Sequence, residues 1–207
     1  LITFDFYSIM ERKNPIAGIQ AFSQLTKDDN YKKSIHLVVK ISNAHADPCN
    51  FNLLKKEIST IESRKVTIIS KVLDRYDMIQ LMNSCDSIIS LHRSEGFGLH
   101  LAEAIAMGKA VIATNWSGNI EYMNFENSYP VKYNLTRINE THGPYKEGSY
   151  WAETCANDAV NKMKIVCLEY HEKGNTTKII NKKRMKYLDK TNIGLKIVKR
   201  LMFIQGV

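Results

Sequence analysis

The sequence predicts an α/β fold built on a doubly wound parallel sheet. Short apolar runs rich in β-branched residues alternate in regular order with segments whose apolar residues recur every three to four positions. The 207-residue chain is 44% hydrophobic and 24% charged, which is typical of a folded globular protein and excludes a disordered or collagen-like chain. No apolar run reaches the roughly 18–20 residues that a membrane-spanning helix needs.

Each strand-like run is apolar on both faces, as expected for strands that helices cover on both sides. The predicted strands are Leu1–Tyr7, Ile35–Ile41, Val66–Ser70, Ser87–Leu91 and Ala110–Thr114. The helices predicted between them are Pro15–Leu25, Asn52–Ile61, Tyr76–Ser84 and Leu99–Met107. Asn14 and Pro15 suit the start of the first helix, and Gly108 suits the end of the fourth. Right-handed crossovers then give a Rossmann-like domain.

The rest of the chain has a weaker pattern. Asn115–Ser149 is rich in Asn, Tyr, Gly and Pro, so we predict loops with one short strand near Tyr129–Tyr133. Helices are predicted at Tyr150–Glu172, Thr177–Leu188 and Thr191–Phe203. We therefore expect a Rossmann-like domain over residues 1–170 and a basic helical tail over residues 171–207.

The tail carries the net charge of the chain. It contains ten Lys and Arg residues against two acidic ones, which accounts for the whole formal charge of +8. Nucleic-acid binding requires aromatic residues among the basic ones, and the tail offers only Tyr187 and Phe203, so we expect no nucleic-acid partner. The basic residues alternate with apolar ones, which predicts amphipathic helices. Such helices pack on the Rossmann-like core or on a missing N-terminal domain, or bind an anionic membrane surface.

The cysteines indicate a reducing compartment. None of the four has the C-x-x-C spacing of a zinc or redox site, and Cys85 and Cys167 lie among apolar residues. The chain opens at Leu1 in a strand-like run with no signal peptide. We expect a cytoplasmic protein, with peripheral binding at the inner face of the membrane left open, and a chain that is part of something larger.

The most informative stretch is Ser94–Glu103, which follows a strand and opens a helix. Gly96 and Gly98 allow the backbone to approach a ligand closely. The N–H groups of Phe97, Gly98 and Leu99 are expected to be unpaired at the helix start, where the helix dipole favours an anion. This arrangement predicts a phosphate-binding site.

Two carboxylates, Glu95 and Glu103, bracket this helix start. A carboxylate accepts hydrogen bonds from hydroxyl groups, so a diphosphate between two hydroxylated rings would use both features. A nucleotide sugar is such a ligand. The alternative is that the glycines only make a tight turn and Glu95 caps the helix. The dinucleotide-binding fingerprint fails, because Leu101 stands where its third glycine belongs.

These residues resemble a known family. Glu95 and Glu103 form an E-x₇-E pattern around Gly96-Phe97-Gly98. It is followed by Ala104-Ile105-Ala106-Met107-Gly108-Lys109-Ala110-Val111-Ile112-Ala113-Thr114 and then by Ser117-Gly118-Asn119-Ile120-Glu121. The pattern resembles the donor-binding half of retaining glycosyltransferases of family 4, which have the GT-B fold. The resemblance runs from about Leu1 to about Trp151.

The resemblance implies roles for these residues. Glu103 would bind the ribose hydroxyls, Glu95 would contact the donor sugar, and the Gly96–Leu99 backbone would meet the distal phosphate and sugar. The family also places an Arg and, five residues later, a Lys on the diphosphate. Lys13 matches that Lys, and with Glu95 it is the expected catalytic pair. Ser8 stands where the Arg is expected.

Other positions remain open at the level of sequence. Arg12 would replace the missing Arg or be one of a solvated pair with Lys13. Arg93 would contact the diphosphate or form a structural salt bridge. The resemblance places the nucleotide base at the backbone of Val72 and Leu73. We expect His92 to be structural and His100 to pack or to face solvent. Asn115, Ser117 and Glu121 either line the cleft or serve a turn.

The implied reaction is transfer of a sugar from a nucleotide donor to a glycan or lipid-linked acceptor with retention, in polysaccharide biosynthesis. We expect no cofactor and no metal, because no D-x-D box follows a strand. The acceptor and part of the machinery would come from the missing N-terminal domain, so this chain alone is expected to be inactive. The alternatives are another Rossmann-like enzyme that binds nucleotide sugars and an inactive interaction domain.

Overall fold

The computed structural model describes residues 1–173 and 189–205. Within them, two sets of three parallel strands form the sheet, in the orders β1-β2-β3 and β4-β5-β6. The strands are β1 Ile2–Asp5, β2 Leu37–Ser42, β3 Val66–Ser70, β4 Ser87–Ser90, β5 Ala110–Thr114 and β6 Tyr129–Val131. In β2, Val39 lies opposite Ile2 of β1 on one side and Ile68 of β3 on the other.

The two sets of strands join at β1 and β4. The Ile89 N–H donates to the Leu1 carbonyl at 2.8 Å, and the Leu1 ammonium donates to the Ser87 carbonyl at 2.7 Å. The spatial order is therefore β3-β2-β1-β4-β5-β6, with the change of direction between β1 and β4. In an open α/β sheet a ligand binds at this change of direction, outside the carboxyl ends of the strands.

Helices cover both faces of the sheet, as the doubly wound prediction requires. The helices are α1 Met10–Lys13, α2 Pro15–Leu25, α3 Pro48–Ile58, α4 Arg75–Ser84, α5 Leu99–Ala106, α6 Ala156–Lys173 and α7 Lys190–Gln205. Side chains of α2, α3 and α6 pack with β1 and β2 in one apolar cluster, and side chains of α4 and α5 form a second cluster. The predicted Rossmann-like fold class is confirmed.

One helix begins earlier than predicted. Helix α3 starts at Pro48 instead of Asn52, because the Asp47 side chain accepts a hydrogen bond from the Asn50 N–H at 3.0 Å and caps the helix. Pro48 fits the first helical position, where its missing N–H costs no hydrogen bond.

An antiparallel hairpin corrects the sequence prediction for residues 115–154. Strand β7, Tyr133–Arg137, pairs with strand β8, Tyr150–Thr154. The first was predicted as loop, and the second as the first turn of a helix that in fact starts at Ala156. In the hairpin the ring of Trp151 is buried against the His142 ring, at 5.3 Å, and the Arg93 guanidinium, at 5.1 Å.

The structure describes part of the predicted tail. Helix α6 continues across the proposed boundary at residue 170 to Lys173, and the boundary stays a prediction. The predicted helix Thr177–Leu188 lies outside the described residues. Helix α7 matches the predicted helix Thr191–Phe203 to within two residues at each end, and none of its residues is buried. No helix in the described ranges is both long and apolar enough to cross a membrane.

Candidate functional site

The loops after β1 and β4 meet at the carboxyl edge of the sheet. Helix α1 follows β1 and carries Arg12 and Lys13, and the loop after β4 carries Ser94 and Glu95. The Arg93 N–H donates to the Arg12 carbonyl at 2.7 Å, and Arg12 Nη1 donates to the Ser94 carbonyl at 3.0 Å. These bonds bring together side chains that are 82 positions apart in the sequence.

Glu95 lies between two cations. Lys13 Nζ donates directly to Glu95 Oε2, and Arg12 Nη1 is 3.6 Å from Glu95 Oε1. Only 10% of the Glu95 side chain is exposed. Burial opposes its ionisation, but the hydrogen bond and charge of Lys13 outweigh burial and hold the pKa of Glu95 below its ordinary value. Glu95 is therefore a carboxylate at neutral pH.

Arg12 reaches the position where the family pattern has its Arg. Arg12 Nη2 donates to Ser8 Oγ at 2.7 Å. The guanidinium therefore lies beside residue 8 although its own backbone is four residues further along the chain. This geometry favours the prediction that Arg12 replaces the Arg that is absent at Ser8.

A glycine turn begins α5. Gly98 has φ 76°, in the left-handed region, and the Tyr122 hydroxyl contacts the carbonyls of Phe97 and Gly98 at 2.7 and 2.8 Å. In the described part of the chain no protein acceptor takes the N–H groups of Phe97, Gly98 or Leu99. These amides lie at the start of α5, where the sequence predicts a phosphate-binding site, and anion binding there stays a prediction.

The loop after β5 holds this turn in place. The Gly118 N–H donates to the Glu95 carbonyl at 2.9 Å, and the Glu95 N–H donates to Ser117 Oγ at 2.7 Å. Ser117 has φ 74°, which is uncommon for a residue with a side chain. A Cβ on Gly118 would lie 1.6 Å from the Gly96 oxygen, so only glycine fits there. Ser117 thus supports the site through the backbone of Glu95.

Glu103 lies on α5 at the side of the site next to β3. Its side chain is 19% exposed, and Arg75 Nη2 is 2.7 Å from its Oε1. Hydrogen bonding to Glu103, together with its charge, raises the pKa of Arg75 above its ordinary value. Arg75 is the first residue of α4 and follows the loop that carries the exposed Val72 and the half-buried Leu73. Sequence reasoning missed Arg75, because no motif marks it.

Arg93 pairs with the hairpin and with the backbone of α1. Its Nε donates to Glu153 Oε2 at 2.6 Å, its Nη1 donates to the Glu11 carbonyl at 2.9 Å, and its guanidinium lies over the Trp151 ring. This is the structural salt bridge that was the alternative for Arg93. The hairpin that supplies Glu153 and Trp151 was not predicted.

The two histidines near the site differ in role. His92 is fully buried, with Nδ1 3.0 Å from Ser90 Oγ and Nε2 3.0 Å from Asn119 Oδ1, and burial lowers its pKa. It is the structural histidine that the sequence led us to expect. His100 is the second residue of α5. Burial, reinforced by the charge of Lys13 and opposed by that of Glu95, lowers the pKa of His100 to about 4. Its imidazole is therefore neutral beside the Lys13–Glu95 pair.

A cavity of about 370 Å³ lies at the opposite, amino end of the strands and is lined mainly by apolar side chains such as Phe22, Leu25 and Ile112. We place the functional site at the carboxyl end instead, because the charged groups and the open amides are there and ligands of open α/β sheets bind there. Among residues 1–173 and 189–205, no three His, Cys, Asp or Glu side chains are placed to hold a metal ion.

The sequence model of the family described as "Glycosyl transferases group 1" matches residues 7–129, which is more than half of the chain. The chain belongs to this family. The matched range contains α1, the glycine turn and Glu103, so it covers the whole candidate site apart from the hairpin.

Solved structures share the fold. A glycosyltransferase from Rickettsia africae ESF-5 is 23% identical, with a TM-score of 0.66 over 98% of this chain and 46% of that one. Anabaena Alr3699/HepE, solved in complex with UDP, is 17% identical, with a TM-score of 0.65 over 97% of this chain and 48% of its own. The C-terminal domain of the group 1 protein LpcC from Francisella tularensis is 18% identical, with a TM-score of 0.65 over 90% and 84%.

The chain therefore spans about half the length of the first two of these structures. No curated protein matches it.

Proposed function

We propose that this chain is the donor-binding half of a retaining glycosyltransferase of family 4. It binds a nucleotide sugar without a metal or cofactor. A second domain supplies the acceptor, a glycan or a lipid-linked sugar in polysaccharide biosynthesis. The observation that carries the proposal is the set of open amides at Phe97, Gly98 and Leu99, which lies between two carboxylates at the change of direction of the sheet.

Each part of a nucleotide sugar has a matching group in the site. The diphosphate meets the open amides, Lys13 and Arg12. The ribose hydroxyls donate to Glu103, and the hydroxyls of the donor sugar donate to Glu95. The backbone of Val72 and Leu73 lies on the Arg75 side of Glu103, where the base follows the ribose. Support also comes from Anabaena Alr3699/HepE, which shares the fold and was solved with UDP and glucose.

The arrangement suits a reaction in which a nucleoside diphosphate leaves. Negative charge develops on the phosphate oxygens as the glycosidic bond breaks. Fixed donors stabilise that charge most effectively when they are already in place before the reaction. The helix start is fixed by Tyr122 and Gly118, and Lys13 is fixed by Glu95. Glu95 and Lys13 are the residues we assign to catalysis.

Calorimetric titration of this chain with UDP, GDP and ADP, in the presence of a chelator, tests the proposal. At least one should bind. Glu103→Gln removes a charged acceptor of two hydroxyl hydrogen bonds, which is worth about 1–3 kcal/mol and weakens binding about tenfold to hundredfold. The matched control is Glu147→Gln, because Glu147 is exposed in the turn of the hairpin and away from the site. Equal affinity of the two variants would contradict the role of Glu103, and no binding at all would indicate an interaction domain.

A further inference from the structure

The ion pair between Arg75 and Glu103 makes none of the proposed contacts with the nucleotide sugar. Arg75 begins α4 and Glu103 lies in the middle of α5, so the pair bridges two helices at the ribose end of the site. Arg75 Nη2 lies 2.7 Å from Glu103 Oε1, and the Arg75 side chain is 67% exposed. Glu103 is therefore already partnered on one of its two oxygens when no ligand is bound.

A ribose ring and Arg75 compete for the same carboxylate. Two neighbouring hydroxyls of a ribose donate best to a carboxylate when each has its own oxygen. Arg75 Nη2 already takes one acceptor direction of Oε1, so a ligand that donates through two hydroxyls competes with it for that oxygen. A ligand with a single hydroxyl can use Oε2 and leave Arg75 where it is. The exposed ion pair is weak enough to be displaced, because solvent screens it.

We propose that Arg75 is a specificity-determining residue that holds Oε1 of Glu103 in the empty site and weakens the binding of ribonucleotides more than that of 2′-deoxyribonucleotides. The inference rests on the proposed function, because it assumes that Glu103 binds the sugar ring of the nucleotide. Arg75 thereby lowers the affinity for the spent nucleoside diphosphate, whose ribose must displace it.

The chain offers a matched control. Lys71 is exposed and lies in the loop that leads to Arg75, and none of the hydrogen bonds or ion pairs among the described residues involves its side chain. Lys71→Gln and Arg75→Gln each remove one positive charge from this end of the site. The change in attraction for a diphosphate is therefore similar in the two variants. Only Arg75→Gln also frees Oε1 of Glu103.

The test measures the affinities of the wild-type chain and both variants for UDP and 2′-deoxy-UDP by calorimetry. Compared with Lys71→Gln, we expect Arg75→Gln to bind UDP about two- to fivefold more tightly, the range expected for loss of an exposed ion pair, and 2′-deoxy-UDP with unchanged affinity. In a Glu103→Gln background, Arg75→Gln should no longer improve UDP binding, because the competing pair is already gone.

The outcomes separate the two proposals. The inference is wrong if UDP binds the wild-type chain but Arg75→Gln lowers the affinity for UDP. It is also wrong if Arg75→Gln changes the affinities for UDP and 2′-deoxy-UDP by the same factor, because Arg75 is then not a competitor for Glu103. If Arg75→Gln still tightens UDP binding in the Glu103→Gln background, the effect does not act through the ion pair. If no variant binds UDP, GDP or ADP, the donor site itself is refuted, and the inference with it.

Discussion

Gly118→Ala is the sharpest test of how the site is held together. Gly118 packs its backbone against the turn that carries the open amides. An added Cβ would lie 1.6 Å from the Gly96 oxygen and 2.4 Å from the Gly96 carbonyl carbon, whereas real Cβ atoms keep at least 3.0 Å from such neighbours. The partner is backbone and cannot rotate away as a side chain would. One of the two loops must therefore move.

The loss of stability follows from the hydrogen bonds that this movement breaks. Separating the loops removes the bond from the Gly118 N–H to the Glu95 carbonyl and the bond from the Glu95 N–H to Ser117 Oγ. Each contributes about 0.5–1.5 kcal/mol, and overpacking adds about 1–3 kcal/mol. The free energy of unfolding should fall by about 2–6 kcal/mol, which lowers the melting temperature of a chain of this size by at least about 4 °C.

Gly96→Ala is the matched control. A Cβ on Gly96 would meet nothing within 4 Å, although this glycine lies in the same turn. It should melt within about 2 °C of the wild type, as surface substitutions usually do. Thermal melts followed by circular dichroism compare the two variants, and titration with UDP shows whether the amides still bind a phosphate. A Gly118→Ala variant that melts and binds like Gly96→Ala would refute the contact between the loops.

Three further predictions concern pH, the tail and activity. The stability of the fold should fall as the pH drops from about 6.5 toward 4, because the unfolded chain protonates His92 and His100 while the folded chain keeps both pKa values depressed. His100→Gln should flatten the slope of urea midpoint against pH, and an unchanged slope would contradict the neutral imidazole. The exposed apolar side of α7 and its Lys196, Lys199 and Arg200 should make the chain sediment with anionic vesicles at low salt and release it at high salt, since each basic residue contributes about 1 kcal/mol near such a surface. Sedimentation that does not depend on lipid charge would contradict electrostatic binding to the membrane and leave α7 with a structural role. The chain by itself should release no nucleoside diphosphate from a donor in the presence of an acceptor, because a cleft needs both walls to orient the reactants. Sustained transfer by this chain would contradict the need for a second domain.

The sheet was predictable because its strands are covered on both faces. Buried parallel strands such as Ala110–Thr114, whose five residues are all buried, stand out as apolar runs between periodic helices. The hairpin was not predictable in the same way. In β7, four of five residues are exposed, so its sequence lacks the apolar pattern of a buried strand and is typical of a polar loop. The buried Trp151 of the hairpin contacts Arg93, which lies 58 residues earlier in the chain, and no local pattern encodes that contact.

At the site, too, local sequence patterns predict some residues and miss those that come from distant parts of the chain. The glycine turn and the two glutamates are adjacent in sequence and follow a strand, so spacing alone places them at a helix start. Arg75 and Tyr122 reach the site from other strand ends, at distances in sequence that no local pattern encodes. For Arg12 the sequence left two readings open. The contact with Ser8 favours one of them, because it shows the guanidinium beside the position that the family pattern assigns to Arg.

The pairing of charges in the empty site fits the ligand we propose. Lys13 and Arg12 lie against Glu95 and Arg75 lies against Glu103, so three cations face two carboxylates and the site keeps one net positive charge for a diphosphate. A nucleotide sugar brings phosphates for the cations and hydroxyls for the carboxylates. Lys13 has three donors and can contact a phosphate while it keeps Glu95, and only the exposed pair of Arg75 and Glu103 must open, so binding leaves no charge buried without a partner, which would be costly. A phosphate that bound Lys13 without donating to a carboxylate would leave Glu95 with Arg12 as its remaining cation, 3.6 Å away, so the paired arrangement favours a ligand that brings hydroxyls for the carboxylates as well as phosphates for the cations.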